Sequence, residues 1–209
     1  QEGQVEMVRV LHELGANVET PAEGGTTPIY IAAMEGQVEV VRVLHELGAN
    51  VETPNKYGDT PVSIATRMGH VEVVKVLQEL ATEEQIGAII AAATDNDTAT
   101  LQSFKAQGVS LKAQGALLGE AVYEASKKGE VEVVRLLHEL GANVETPNED
   151  GATPVFIAAY EGHVEVVRVL RELGANVETA DKHGRLPASH AAAAGPDAVV
   201  RVLQEHGAN

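Results

Sequence analysis

The chain has 209 residues, a formal net charge of −16 and no cysteine. The acidic balance argues against nucleic acid as the partner, because phosphate binding needs clustered Lys and Arg. The lack of cysteine excludes disulfides, thiolate metal sites and cysteine nucleophiles. No apolar run reaches the roughly 18 residues of a membrane span. We therefore expect neither nucleic acid nor a membrane as partner.

A tripeptide repeat dominates the sequence: Gly-Ala-Asn begins at Gly15, Gly48, Gly141, Gly174 and Gly207, with separations of 33, 93, 33 and 33 residues. A fixed period in this range indicates a stack of small repeated units. The two copies missing from the long gap would stand at residues 81 and 108, which are only 27 residues apart, so one unit is six residues short. The predicted segmentation is a half unit 1–17, units 18–50 and 51–83, a short unit 84–110, and units 111–143, 144–176 and 177–209. Because the chain opens in mid-unit, we expect it to be a fragment.

The unit 18–50 predicts two helices and an arm. Thr27-Pro28 opens the first helix, because Thr is a favoured N-cap and Pro is tolerated at the first helical position. Gly36 breaks this helix. A second helix follows with apolar residues at helical spacing, and Gly48 ends it as a C-terminal cap. Residues 51–58 then form an extended arm that ends in a turn.

Two successive units are irregular over roughly residues 82–127. The short unit lacks the extended arm and the Thr-Pro pair, and the next unit has Glu120-Ala121 where Thr-Pro should stand. We expect this stretch to change the curvature or stability of the stack and to leave a notch in the row of arm tips. The notch could be a recognition element or a degenerate duplication joint.

These motifs resemble the ankyrin repeat family. Its Thr-Pro-Leu-His-x-Ala signature is matched by the segments that begin at Thr27, Thr60 and Thr153, followed at fixed distance by Gly-His-Val-Glu-Val-Val and Gly-Ala-Asn. The resemblance covers nearly the whole chain. It implies an all-α repeat fold, an ankyrin-type α-solenoid of stacked helix-turn-helix units with short β-hairpin-like arms, in a single domain over 1–209.

Two departures from the family pattern recur in the units. The signature His is replaced by Tyr30, Ser63, Phe156 and Ser189, so its usual turn-stabilising hydrogen bond is in doubt. The Asn that often follows Gly-Ala-x-Val in the family is replaced by Glu19, Glu52, Glu145 and Glu178.

Catalysis is not expected from this sequence. His12, His45 and His138 share one repeat phase, and units roughly 10 Å apart cannot bring two of them to one metal. His70 and His163 follow the inter-helix glycine and are interpreted as local turn residues. No phosphate loop, nucleophile elbow or zincin helix is present. We therefore predict a non-enzymatic protein without cofactor or metal.

The glutamates form two ladders at constant repeat phase. One contains Glu13, Glu46, Glu79, Glu139, Glu172 and Glu205, and the other is the Glu19 series above. The simpler interpretation is a solvated face, with pairs such as Glu39–Arg42 and Glu165–Arg168 neutralising part of the charge. The alternative is electrostatic steering of a basic partner.

Positions that differ between units are candidates for function, whereas positions that stay alike are scaffold. They fall at the arm tips and on the first helices, which line the concave binding surface in the family, and the resemblance implies the same role here. The candidate protein-binding residues are Tyr30, Met34, Lys56, Tyr57, Asp59, Arg67, Met68, Lys127, Glu149, Asp150, Phe156, Tyr160, Lys182, His183 and Arg185.

The leading functional hypothesis is a scaffold that recognises a partner protein, basic in one interpretation of the charge, through the arm tips and the concave first-helix face. A second hypothesis is self-association through exposed repeat ends. A third is an accessory interaction domain of a larger protein. The resemblance also favours an intracellular, cytoplasmic location.

Overall fold

The computed structural model describes residues 2–194 and 197–204, and within these ranges it contains twelve α-helices, one short 3-10 helix and no strand. The helices are α1 (Glu2–Glu13), α2 (Pro28–Met34), α3 (Val38–Glu46), α4 (Pro61–Met68), α5 (Val71–Thr94), α6 (Thr98–Ala106), α7 (Gly119–Lys128), α8 (Val131–Glu139), α9 (Pro154–Glu161), α10 (Val164–Glu172), α11 (Pro187–Ala194) and α12 (Asp197–Gln204), with the 3-10 helix at Lys112–Gln114. The all-helical repeat predicted from the sequence is confirmed.

The first helices begin as the Thr-Pro motif predicts. The hydroxyls of Thr27, Thr60 and Thr153 accept the backbone N–H three residues on, at 3.4, 3.2 and 3.3 Å. This bond satisfies one of the free N–H groups at a helix start. The second helix α3 ends just before Gly48, whose φ of 92° lies in the left-handed region that glycine tolerates.

The arms close as hairpin-like turns. The backbone N–H of Asn55 donates to the Asp59 carbonyl at 2.9 Å, and the side chain of Asn55 accepts from the backbone N–H of Tyr57 and Asp59. Neighbouring tips are joined by a backbone bond from Lys56 to Gly24, at 3.0 Å. The β-hairpin-like arms expected from the resemblance are thus tight turns, and no described arm residue is in a strand.

The chain divides into two compact units, residues 1–85 and 86–209. The core of the first unit includes the fully buried Ile29, Val41 and Leu77. The second unit has its own core, which includes Leu101 and Leu137. The single-domain assignment made from the sequence stays a proposal.

Helix α5 departs from the regular pattern, because it runs for 24 residues without a break. It contains Ala81-Thr82-Glu83, which stands where other units have Gly-Ala-Asn, so the glycine that would end a second helix is replaced by Ala81. Residues 84–91, where an extended arm would begin, are helical. The sequence interpretation had the arm missing but did not foresee that two helices would fuse.

Ion pairs join second helices of successive repeats. The pairs are Arg9–Glu46 (2.6 Å), Arg42–Glu79 (3.7 Å), Lys105–Glu139 (2.7 Å) and Arg135–Glu172 (2.9 Å). Four of the six glutamates of the first ladder are therefore paired, which weakens the case for steering by this ladder. The predicted pair of Glu165 and Arg168 is present at 3.9 Å. The predicted partner of Arg42 was wrong, because Arg42 reaches Glu79 of the next repeat.

Two glutamates of the second ladder bond to the backbone of the Gly-Ala-Asn loop at the end of their own unit. Glu19 accepts the backbone N–H of Asn50 at 2.8 Å, and Glu145 accepts that of Asn176 at 2.5 Å. The replacement of the family Asn by Glu thus supplies a carboxylate acceptor for a loop amide that has no helical partner. A hydrogen bond to a charged group contributes about 1.5–3 kcal/mol when buried, and less at these partly exposed positions.

No helix among the described residues is long and apolar enough to cross a membrane.

Candidate protein-binding surfaces

Two of the predicted contact residues lie in the core. Tyr30 is 5% exposed and Phe156 is 4% exposed. Tyr30 instead receives a hydrogen bond on its hydroxyl from the side-chain amide of Asn55 in the next arm, at 3.3 Å. Their prediction as direct contact residues is corrected to a packing role, because the first helix turns this position toward the following repeat.

The candidate surface of the first unit lies at the tip of the second arm and the end of α4. Tyr57 is 77% exposed and Met68 is 54% exposed, and the Lys56 ammonium lies 5.2 Å from the centre of the Tyr57 ring. Asp59 binds Arg67 through two contacts, at 3.0 and 3.4 Å. The hydrogen bond and charge of Asp59 raise the pKa of Arg67 above its ordinary value. The structure thus brings Lys56 to Tyr57 and Asp59 to Arg67, and Met68 follows Arg67 as an exposed apolar side chain.

In the second unit, a groove of about 660 Å³ lies between α7 and the arm tip at 146–150. Its wall includes the predicted residues Lys127, Glu149 and Asp150. Among the lining residues that the sequence interpretation did not select are Leu117, Glu120, Tyr123 and Glu124. Four acidic side chains and one lysine therefore line the groove, and the exposed Leu117 adds apolar surface to its wall.

Tyr123 holds the arm against this groove. Its hydroxyl accepts a hydrogen bond from the side-chain amide of Asn148 at 3.1 Å. Burial and the charges of Glu124 and Asp150 raise the pKa of Tyr123, so it stays protonated at neutral pH. The sequence could have indicated Tyr123, because Tyr123 lies 93 residues after Tyr30. Gly48 and Gly141 are separated by the same number of residues, so the two tyrosines occupy the same repeat position.

The other predicted residues of the second unit lie on the next arm and α9. Lys182 and His183 are exposed at the tip, and the Lys182 N–H donates to the carbonyl of Asp150 at 2.9 Å. Arg185 lies 5.9 Å from the Phe156 ring. Tyr160, 41% exposed, stacks on His190 with ring centres 4.9 Å apart, where the sequence interpretation had not marked the histidine.

Asp181 closes this arm. Its carboxylate accepts hydrogen bonds from the Arg185 side chain and from the backbone N–H groups of His183 and Arg185. Burial alone would raise the pKa of Asp181, but these hydrogen bonds and the Arg185 charge outweigh it and lower the pKa to about 2. The group is therefore ionised at neutral pH.

The turn histidines connect repeats. His70 donates from Nε2 to the carbonyl of Met34 at 3.0 Å, and His163 donates to the carbonyl of Lys127 at 2.9 Å. Met34 is itself half-buried. The interpretation of both histidines as purely local is corrected, because each one donates a hydrogen bond to a backbone carbonyl at the end of the preceding first helix. Among the described residues, no group of three or more His, Asp or Glu side chains could hold a metal ion.

Comparison with known proteins assigns the chain to a family. The family model for ankyrin repeats (3 copies) matches residues 1–89, 88–181 and 122–209. No curated protein matches the chain in sequence. The matched segments span both compact units and agree with the repeated helix pairs. The chain therefore belongs to the ankyrin repeat family.

Proposed function

We propose that this protein is a non-enzymatic scaffold that binds a partner protein through its arm tips and first-helix faces. Ankyrin repeats are generally protein-interaction scaffolds. The observation that carries the proposal is the groove between α7 and the arm tip at 146–150. It combines a concave shape with side chains that differ from those of the other repeats.

The charge of this groove favours a basic partner. Glu120 and Asp150 have no ion-pair partner among the described residues, and Glu124 contacts Lys127 only at 4.0 Å. Complementary charge across an interface raises the association rate and selects against wrong partners. We expect a segment with two or more Lys or Arg residues and one apolar side chain that packs on Leu117.

A peptide selection tests the proposal. Peptides of random sequence are selected on the immobilised protein, and the enriched ones are titrated by calorimetry. We expect enrichment of Lys and Arg next to a Leu, Ile or aromatic residue. The double variant E120K/E124K should lower the affinity for these peptides by at least about tenfold, since like-charge contacts cost several kcal/mol.

A charge-matched control separates local recognition from bulk charge. Glu72 and Glu132 are exposed on second helices and have no ion-pair partner within the described part of the chain. E72K/E132K changes the net charge by the same amount as the groove variant and should leave peptide affinity within about twofold. Equal losses in both double variants, or enrichment without basic residues, would contradict the proposal.

Self-association is a second candidate, supported by α1. Met7, Val10, Leu11 and Leu14 are 58%, 39%, 48% and 79% exposed and lie at helical spacing on one face. Such an apolar stripe is a common association surface. Light scattering over a range of concentrations should then show oligomers, and L11E/L14E should return the protein to a monomer. A wild-type protein that is monomeric at all concentrations would exclude this candidate.

A further inference from the structure

A second cavity, of about 440 Å³, lies in the first unit next to the irregular helix α5. Val51, Val62, Leu77 and Ala81 contribute the apolar part of its wall. Glu52, Thr60, Gln78, Thr82 and Gln85 form the polar part of the wall. All of these residues belong to the compact unit 1–85. The cavity is separate from the acidic groove of the second unit.

The regular repeats indicate what covers this surface. One repeat earlier, the position equivalent to Val62 is Ile29, which is 0% exposed. Ile29 shares a core cluster with Ala49 of the Gly-Ala-Asn loop and with Val51, the first residue of the following arm, which are 2% and 1% exposed. Val62 is only half-buried. In a regular repeat, residues at the start of the next arm pack against this position. After unit 51–83, the corresponding residues belong to helix α5 instead.

The side chain of Glu52 supports the same conclusion independently. Its equivalents Glu19 and Glu145 each accept a backbone N–H from the Gly-Ala-Asn loop that leads into the following arm. The residue that would donate to Glu52 is Glu83, and its amide lies inside α5. Glu52 is exposed at the edge of the cavity and makes no side-chain hydrogen bond within the described residues. Its carboxylate is a free acceptor for an extended backbone.

A third observation comes from the position of the signature histidine. Tyr30 and Tyr123 each bond to an Asn of the following arm. At the same position of unit 51–83 stands Ser63, which instead bonds to Thr60 of its own helix, with its Oγ accepting from the Thr60 N–H at 2.9 Å. The first helix α4 therefore makes no polar contact to a following arm at this position.

We propose that this cavity binds an extended segment of a partner protein, which takes the place of the missing arm. The segment supplies a backbone N–H for Glu52 and a small or β-branched aliphatic side chain that packs on the half-buried Val62. This is recognition by complementation, in which backbone hydrogen bonds give affinity and side-chain pockets give specificity. The best template for it is the arm sequence Gly-Ala-Asn-Val-Glu-Thr-Pro-Asn, identical at residues 48–55 and 141–148.

The test uses this arm sequence as a free peptide. A capped peptide of residues 47–59 is titrated into the isotopically labelled full chain, and backbone amide shifts are followed by NMR. We expect saturable shifts at Glu52, Val62, Thr82 and Gln85, with a dissociation constant in the range of about 0.1–1 mM, since a short flexible segment loses much entropy on binding. A peptide in which the central Val is replaced by Asp should bind at least about tenfold more weakly.

Two protein variants make the test specific. E52A removes the acceptor and should weaken peptide binding by about three- to tenfold, because the bound backbone N–H then loses its hydrogen bond to a charged but exposed group. V62R places a large side chain in the cavity and should abolish peptide binding. If V62R does not fold, T82R blocks the same cavity and should have the same effect. The groove variant E120K/E124K should leave binding unchanged, which separates this proposal from the function proposed above.

Three results would overturn the proposal. They are the absence of saturable shifts at several millimolar peptide, equal binding of the Asp peptide, and shifts that map outside the cavity. Concentration-dependent self-association abolished by V62R would assign the cavity to the arm of a second copy instead of a different protein.

Discussion

At the residue scale, the bond between a first helix and the following arm differs from repeat to repeat. Tyr30 and Tyr123 use an Asn of the next arm, whereas Phe156 packs under Arg185, which is held by Asp181. The sequence indicated that the signature histidine was replaced. It could not indicate the substitute bond, because the partner lies 25 residues further along the chain.

Asp181 provides a pH-dependent test of this arm. Its folded pKa of about 2 lies below the ordinary value of 3.8, so its contribution to stability is fully present above pH 3.8 and is lost as the pH falls toward 2. D181N installs the residue found at the equivalent positions 55 and 148 and keeps the turn. We expect the free energy of unfolding of D181N, measured by urea titration, to depend less on pH between 4 and 2. An unchanged pH dependence would contradict this role.

Gly36 and Gly69 provide a matched pair of substitutions. Both have φ in the left-handed region, +72° and +79°, but a Cβ on Gly36 would lie 2.8 Å from Nδ1 of His70, whereas Gly69 has nothing within 4 Å. G69A should cost about 1–2 kcal/mol from the backbone alone. G36A should cost about 1–3 kcal/mol more, because the His70 ring must move. Equal losses in chemical denaturation would mean that the contact of His70 with this turn adds no stability.

At the element scale, the irregular region follows from one missing turn signal. The helix bounds agree with the predicted alignment of the short unit, since α6 (Thr98–Ala106) matches α3 (Val38–Glu46) with a constant offset. The fusion of helices in α5 was missed because the repeat pattern implied a break after each second helix. The signal was present, since no Gly or Pro stands between Leu80 and Ile86, and Ile86, Ile89 and Ala93 then follow at helical spacing.

Helix α6 should be the less stable counterpart of α10. Its one buried residue is Leu101, whereas α10 buries Val166, Val167, Val169 and Leu170. Because a helix of this length depends on packing for its stability, α6 should open more often. Hydrogen exchange followed by mass spectrometry should show faster exchange over 98–106 than over 164–172. Equal protection of the two segments would show that burial does not set their stability.

At the scale of the whole molecule, the net charge of −16 is distributed unevenly. On the second helices, glutamates are paired with Arg or Lys of neighbouring repeats. In the groove of the second unit, carboxylates line a concave surface with a single lysine. The sequence predicted the periodic ladders but could not separate paired from unpaired carboxylates, because the pairs join residues about one repeat apart.

The same limit applies to the candidate contact residues. Comparison of the repeats found exposed tip residues such as Tyr57 and Lys182, but it also selected Tyr30 and Phe156, which are buried. It missed Glu120 because the Thr-Pro motif that marks this position is absent from that unit. Residues that vary between repeats are therefore of two kinds. Some are exposed and available for binding, and others are buried and pack differently against the neighbouring repeat.

The salt dependence of the association rate tests the central claim, that the groove of the second unit binds a basic partner segment. A selected basic peptide is mixed with the protein in a stopped-flow instrument at 50 and 300 mM salt. Electrostatic steering predicts that the rate constant falls by about tenfold over this range, and that E120Q/E124Q reduces this dependence markedly. A rate constant that does not change with salt, or a salt dependence that is the same in E120Q/E124Q, would contradict the claim.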